Sequence, residues 1–330
     1  SSALQKYFHP LADGKIAINI DGNPLQLAVD TGSPHTLVVY KDWYEDTYGK
    51  GACKTLPSGC YSCPSKCDPY AKEVFVRSFE DGSEYSMVYH KGALSVNGKM
   101  VGDIEFGLVL NFIPDHRSSD PFPDSLFGIG YDTIDGHYTI LHQLYARKLV
   151  PEFAFQICSP TPPLVFAGQL VLGSSQGACS IQQPMAIQLP SSAIFSYGLV
   201  SSTKHEAFVH PLDNLILFDT GTATLVFPEY IFMDVKDKLI NIASRDSGRT
   251  VSAKVMNGVL CVGFETQEIS ALQYLPALTF SLGVKDKPFE WCILRIMHIG
   301  EDIILGKPFF SSYFLGADLG DAKLKIANYQ

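Results

Sequence analysis

One short sequence motif occurs twice in the chain, each time directly after an apolar run. The first copy, residues 30–38, reads Asp-Thr-Gly-Ser-Pro-His-Thr-Leu-Val, and the second, residues 219–226, reads Asp-Thr-Gly-Thr-Ala-Thr-Leu-Val. The apolar runs, residues 25–29 and 215–218, predict that each aspartate lies where a buried strand meets a tight turn. The copies are 189 residues apart, which is too long for a solenoid repeat and fits two domain-sized halves.

Two carboxylates that two halves of a chain bring together have a specific chemistry. At a separation of roughly 3 Å they cannot both ionise, so they share one proton and titrate as a coupled pair. The charged carboxylate can deprotonate a bound water while the protonated one hydrogen-bonds the carbonyl under attack. We therefore predict Asp30 and Asp219 as the catalytic pair. The predicted supporting residues are Thr31, Gly32, Ser33, Thr220, Gly221 and Thr222.

Downstream of each aspartate lies an apolar-apolar-Gly segment, residues 126–128 and 304–306. Glycine would let such a strand pass close behind an aspartate turn. With this second repeat, the sequence resembles the pepsin-like aspartic proteases over essentially its whole length. The resemblance implies an all-β, bilobal fold, with two β-barrel-like lobes related by a pseudo-twofold axis, a few short helices and a substrate cleft between the lobes. It also implies a zymogen precursor and inhibition by pepstatin.

The expected lobes are residues 1–167, with the first aspartate, and residues 168–330, with the second. Alternating isoleucines at 16, 18 and 20 predict a half-buried strand, and residues 323–328 predict a terminal strand. Helical spacing predicts a helix that starts near Ile140 and another that opens at Pro228. A last short helix is expected from Pro308.

The composition restricts the partners of the protein. A net charge of −9 and a pI near 5.4 argue against binding to nucleic acid or an anionic membrane. Residues 153–203 lack charged side chains and histidine. Pro, Gly, Gln and Ser interrupt this segment throughout, so we do not expect it to span a membrane. We expect a monomer with no cofactor and no metal. No signal peptide is evident at Ser1, which fits a processed, mature form.

Eight cysteines favour disulfide bonds and an oxidising compartment, either outside the cell or an acidic vacuole-like or lysosome-like lumen. Four of the cysteines form a cluster: Cys53, Cys60, Cys63 and Cys67. Disulfide pairing within this cluster is favoured, although a cysteine-rich loop could instead bind zinc. Residues 44–70 therefore predict a stapled surface loop that could contact substrate or partners, or serve structure alone. Cys261 with Cys292 is similar to the C-lobe disulfide of the family, and we expect Cys158 to pair with Cys179.

Residues 74–89 predict a hairpin around a turn that contains Asp81, Gly82 and Ser83. In the resembled family a hairpin here is the flap that closes over bound peptide, and we call this segment the flap hairpin. The family holds its flap through a tyrosine bonded to a tryptophan, but Phe79 and Val38 stand at the matching positions. Under an alternative alignment, Tyr85 or Tyr89 supplies the hydroxyl. The expected pocket walls are Phe79, Leu126, Val29, Leu217 and Thr222.

The sequence therefore predicts an endopeptidase that cuts between bulky apolar residues of a peptide or protein at acidic pH. A catalytically weak or inactive binding protein on the same fold is the alternative, because the polar flap latch is missing. A glycosidase would need its carboxyl groups more than about 5 Å apart, which the repeat disfavours. His35, beside the first turn, could respond to pH, but we expect it to be solvated.

Overall fold

The structure is a computed structural model of the chain. It describes residues 7–65, 67–79, 81–96, 98–114, 122–130, 136–159, 166–177, 179–181, 185–188, 195–200, 205–209, 216–256, 259–264, 274–275, 277–282, 296–298, 303–310 and 313–328.

Strands dominate the described chain, and helices are few and mostly short, so the predicted all-β class is confirmed. The first strands are β1 (Tyr7–Ala12), β2 (Lys15–Ile20), β3 (Asn23–Asp30), β4 (Leu37–Val39), β5 (Phe75–Ser78), β6 (Glu84–Val96), β7 (Lys99–Ile113), β8 (Leu126–Gly128), β9 (Ala154–Cys158), β10 (Gly168–Leu172) and β11 (Met185–Gln188). They are followed by β12 (Phe195–Val200), β13 (His205–Val209), β14 (Ile216–Phe218), β15 (Leu225–Phe227), β16 (Val251–Met256), β17 (Val259–Phe264), β18 (Ala277–Leu282), β19 (Ile296–His298), β20 (Ile303–Leu305), β21 (Tyr313–Asp318) and β22 (Lys323–Asn328). The helices are α1 (Lys41–Tyr48), α2 (Ile140–Ala146), α3 (Glu229–Ser247) and α4 (Lys307–Phe310), with short 3-10 turns at Ala52–Lys54 and Pro69–Ala71.

These strands form three sheets. A 13-stranded sheet has the order β11-β22-β21-β9-β10-β1-β2-β3-β8-β4-β7-β6-β5. A 3-stranded sheet has the order β13-β12-β18, and a 6-stranded sheet has the order β14-β20-β15-β19-β17-β16. The last two strands of the chain, β21 and β22, therefore join the sheet that contains the first strands.

The chain divides into two compact units that are not simple halves. Unit 1 comprises Ser1–Pro190, Phe218–Thr222 and Phe309–Gln330, and unit 2 comprises Ser191–Leu217 and Ala223–Pro308. The turn that carries the second aspartate thus belongs to unit 1, although its flanking residues on both sides belong to unit 2. The expected lobe boundary between residues 167 and 168 stays a prediction.

The same three-strand arrangement surrounds both repeated turns. β8 lies between β3 and β4, parallel to β3, and pairs Gly128 with Asp30. In the second copy β20 lies between β14 and β15. A Cβ on Gly128 would lie 2.2 Å from the carbonyl oxygen of His35, which is far inside van der Waals contact. The predicted need for glycine behind the first turn is therefore confirmed.

The flap hairpin has the predicted form. β5 pairs antiparallel with the start of β6, with Ser78 opposite Glu84. The backbone N–H of Phe79 donates to the carbonyl of Ser83 at 2.9 Å, and the N–H of Gly82 donates to the carbonyl of Phe79 at 2.8 Å. Gly82 has a φ of +86°, a conformation that glycine adopts without strain. β5 is the last strand in the order of its sheet.

Several predicted elements have the expected residues. The three isoleucines of β2 are buried on one face, and β22 spans the predicted residues 323–328. Pro228 precedes α3, whose apolar stripe is buried. The prediction of a loop from residue 44 onwards is wrong at its start, because α1 continues to Tyr48. Trp43 and Tyr44 bury one face of this helix, and burial of aromatic rings offsets its polar composition.

Three disulfide bonds occur in the described chain: Cys53–Cys60, Cys63–Cys67 and Cys158–Cys179. They confirm pairing within the cluster over the zinc alternative, and they confirm the expected third pair. Cys292 lies outside the described residues, so its pairing with Cys261 stays a prediction. Where the structure describes the chain, no helix is long and apolar enough to cross a membrane.

Candidate active site

Asp30 is held at the end of β3 by the turn that follows it. Its side chain is buried, with 5% exposure. The backbone N–H groups of Gly32 and Ser33 donate to its Oδ1 at 2.9 and 3.0 Å. Aspartate commonly accepts hydrogen bonds from the backbone of the residues that follow it in a turn. The Ser33 hydroxyl accepts from the His35 backbone N–H at 3.2 Å.

Asp219 has a closely similar setting after β14. The N–H of Gly221 donates to its Oδ1 at 2.7 Å. The hydroxyl of Thr222 donates a hydrogen bond to Oδ2 and so helps to orient this carboxylate. Each carboxylate is thereby fixed by its own turn, and little side-chain freedom remains to be lost when a ligand binds.

The two turns are tied to each other by their threonines. The Thr31 hydroxyl donates to the Phe218 carbonyl at 2.6 Å and accepts from the Thr220 N–H at 3.0 Å. The Thr220 hydroxyl in turn donates to the Val29 carbonyl at 2.7 Å and accepts from the Thr31 N–H at 3.2 Å. This reciprocal set of four bonds fixes the two aspartate turns against each other.

The two glycines of the turns set how closely the carboxyl groups approach. A Cβ on Gly32 would lie 2.7 Å from Cγ of Asp219, and a Cβ on Gly221 would lie 2.8 Å from Cγ of Asp30. Each carboxyl group therefore lies directly over the glycine of the other turn. Any larger residue at either position would push the two carboxyl groups apart.

The two carboxyl groups lie side by side, because a Cβ on Gly221 would lie 2.8 Å from Oδ1 of Asp30 and 3.0 Å from Oδ1 of Asp219. Burial raises the pKa of the Asp30 carboxyl well above its ordinary value, and the charge of Asp219 and the hydrogen bond to it raise it further. The N–H groups of Gly32 and Ser33 act in the opposite direction and lower it. Asp30 therefore holds a proton in a pH range in which an ordinary aspartate is ionised.

The predicted pocket residues near the turns differ in burial. Val29 is fully buried and contributes its carbonyl to the threonine contacts. Leu126 is half-buried beside β3, opposite Ala28. Leu217, in β14, is 39% exposed. Their role as pocket walls stays a prediction.

The turn of the flap hairpin is stabilised by its own side chains. Oδ1 of Asp81 accepts from the N–H and the hydroxyl of Ser83, at 2.9 and 2.7 Å. Phe79 packs edge-on against Tyr85, with ring centroids 5.2 Å apart. The Tyr85 hydroxyl accepts from the backbone N–H of Asp124 at 3.2 Å. The flap turn is therefore built around an aromatic pair.

The other residues considered for the latch lie in different surroundings. Val38 is fully buried in β4. Tyr89 stacks on His137, with ring centroids 3.2 Å apart. Nδ1 of His137 donates to Oε1 of Glu105 at 2.6 Å, since a carboxylate oxygen can only accept.

Sequence reasoning missed a contact between the first aspartate turn and the flap hairpin. His35 is 7% exposed, so the expectation of a solvated histidine is wrong. Nε of Arg77, in β5, donates to Nε2 of His35 at 3.1 Å. The sequence contains no local signal for this pair, because the two residues are 42 positions apart and belong to no recognised motif.

A close carboxyl pair with one shared proton can act on a bound water as acid and base together, without a metal. Within the described residues, no cluster of three or more His, Cys, Asp or Glu side chains could hold a metal ion. A family model described as eukaryotic aspartyl protease matches residues 13–329. Comparison with curated proteins finds no match.

Proposed function

The chain belongs to the eukaryotic aspartyl protease family, and on that premise we propose that it is an aspartic endopeptidase active at acidic pH. The supporting observation is the close pair of carboxyl groups of Asp30 and Asp219, in which burial raises the pKa of Asp30. The proposed substrates are peptides and unfolded proteins with bulky apolar residues on both sides of the cut. Proteins of this family bind peptide substrates.

In the proposed mechanism Asp30 holds the proton at rest and Asp219 is ionised. Asp219 takes a proton from a water molecule, whose oxygen attacks the peptide carbonyl carbon. Asp30 gives its proton to the carbonyl oxygen, which produces a neutral tetrahedral intermediate. The C–N bond then breaks as the nitrogen takes the proton from Asp219, while a hydroxyl of the intermediate returns a proton to Asp30. Both carboxyl groups end in their starting states.

In this mechanism the protonation of the two carboxyl groups sets the pH range of turnover. One proton must be shared, so turnover falls when both carboxyl groups are protonated at very low pH and when both are ionised at higher pH. The raised pKa of Asp30 extends the single-proton range upward from that of an ordinary aspartate. A mildly acidic optimum is the expected outcome.

We further propose that the protein works outside the cell or in an acidic lumen, and as a monomer after processing of an inactive precursor. The three disulfide bonds in the described part of the chain favour an oxidising compartment. One unit contains both aspartate turns, so the chemistry requires no second chain.

The test is cleavage of a denatured protein substrate across pH 3 to 7, with and without pepstatin. Asp30→Asn and Asp219→Asn should each abolish turnover without unfolding the protein, because each removes an essential member of the pair. Asp321→Asn changes an exposed carboxylate and serves as the control with unchanged activity. Full turnover in either dyad variant would contradict the mechanism.

A second candidate function, peptide or protein binding with little or no cleavage, is favoured by Phe79. This side chain packs against Tyr85 and has no hydroxyl with which to hold the flap. Tight binding of pepstatin without turnover at any pH tested would support this second function over the first.

A further inference from the structure

A continuous polar path leads from the flap hairpin to the first aspartate. Nε of Arg77 donates to Nε2 of His35, and the backbone N–H of His35 donates to the Ser33 hydroxyl at 3.2 Å. The Ser33 N–H donates to Oδ1 of Asp30 at 3.0 Å. The flap strand β5 is therefore connected to the carboxylate through two intermediate residues.

The donor chemistry of this path fixes the state of His35. A guanidinium group donates hydrogen bonds and accepts none, so Nε2 of His35 must be the acceptor. The imidazole is then neutral and carries its proton on Nδ1. The contact is charge-assisted, and such bonds are stronger than those between neutral groups. His35 is buried, which reduces the competition from water for this bond.

The position of the contact suits a latch. Arg77 lies two residues before Phe79, at the base of the flap turn, and its guanidinium also donates to the Val76 carbonyl at 3.0 Å. β5 pairs with β6 and ends the order of the sheet, while Val76 is 53% exposed. A strand at the edge of a sheet has ladder hydrogen bonds on one side only, so a side-chain contact elsewhere adds to its local stability.

We propose that Arg77 and His35 form the polar latch of the flap hairpin, in place of the hydroxyl that Phe79 lacks. Both are positioning residues: they hold the hairpin against the turn of Asp30, so that a bound peptide meets an ordered flap. This role in ligand binding rests on the proposed function, whereas the ordering of the hairpin does not.

The first test is amide hydrogen exchange of residues 74–89 in the free protein, which needs no activity. Arg77→Met and His35→Leu should speed exchange about tenfold, which corresponds to about 1.4 kcal/mol. His35→Gln keeps an acceptor for Arg77 and should restore the slow rate. Lys91→Met removes an exposed cation of β6 and should leave exchange unchanged. Slow exchange in Arg77→Met and His35→Leu would overturn the latch.

The second test separates positioning from stability. Pepstatin Kd and peptide KM should both rise about tenfold in Arg77→Met and His35→Leu, with kcat within about twofold, because the carboxyl pair is untouched. His35→Gln should restore both constants. Faster exchange with unchanged Kd and KM would make the contact purely structural and overturn the positioning role.

The two proposals fail in different ways. An active wild type whose variants match it in exchange, Kd and KM refutes the latch alone. A wild type without turnover refutes the proposed endopeptidase, and pepstatin Kd then decides the positioning role. If the wild type does not bind pepstatin, the positioning role is overturned together with the proposed function.

Discussion

Replacing Thr220 with valine tests whether the threonine contacts hold the two aspartate turns together. Valine has nearly the same shape as threonine, but its methyl group can neither donate nor accept. Thr220 is fully buried, so water cannot replace the lost partner. The variant removes the bond to the Val29 carbonyl at 2.7 Å and the bond from the Thr31 N–H at 3.2 Å.

The expected cost follows from these two bonds. The Val29 carbonyl loses a donor in a buried site, which costs about 1–3 kcal/mol. Thr31 is partly exposed, so its N–H loses only the net value of a hydrogen bond, about 0.5–1.5 kcal/mol. The total is about 3 kcal/mol in the free energy of unfolding. For a folded unit of about 150–250 residues, each kcal/mol shifts Tm by about 2–4 °C, so this loss lowers Tm by about 6–12 °C.

Thr36 offers a matched control in the same unit. It is also buried, with 5% exposure, but its hydroxyl has no hydrogen-bond partner among the residues that the structure describes. Thr36→Val therefore removes an uncompensated polar group and should leave Tm unchanged or raise it. Calorimetry and urea unfolding of both variants give the comparison. If Thr220→Val costs no more than Thr36→Val, the threonine contacts do not stabilise the turns and the reasoning is refuted.

Three other perturbations have defined outcomes. Burial, and next the charge of Asp219, raise the pKa of Asp30 in the folded state. Protonated Asp30 therefore stabilises the folded protein. This contribution to the unfolding free energy is complete below about pH 3.9 and is lost as pH rises through the folded pKa. Unfolding free energy should therefore fall less from about pH 4 to 7 in Asp30→Asn than in the wild type, and parallel curves would contradict the raised pKa. Gly128→Ala places a Cβ 2.2 Å from a backbone oxygen and should lower the free energy of urea unfolding by about 3 kcal/mol. In the control Gly320→Ala the Cβ lies 3.5 Å from its nearest atom, so the loss should be much smaller. Equal urea midpoints for the two variants would refute the steric argument. Replacing Cys158 and Cys179 by alanine should cost about 3 kcal/mol by thermal unfolding, and an unchanged Tm would show that the bond does not constrain the unfolded chain.

The sequence predicted the centre of the candidate site because its chemistry is local and doubled. Asp30 and its glycine and serine neighbours form one turn through bonds between residues two and three positions apart. A second copy of the same turn indicates that two such carboxylates meet. The burial of His35 was not predictable in this way, because it depends on Arg77, which reaches it from a distant strand.

The fold was predictable in class but not in the course of the chain. Alternating isoleucines predicted β2 because a half-buried strand requires that period. The helix α1 was missed because it is largely polar, and its stability comes from Trp43 and Tyr44, which pack against other parts of the chain. Pairing of β21 with β9 joins residues near 316 to residues near 156, and no local pattern specifies a contact of that range.

The order of synthesis places an unusual demand on unit 1. Its sheet is completed by β21 and β22, which a ribosome makes only after every residue of unit 2. Until then β9 has a partner on one side alone, and its exposed ladder can pair with other chains. A truncation that removes only the last strands would therefore damage the part of the protein that was made first.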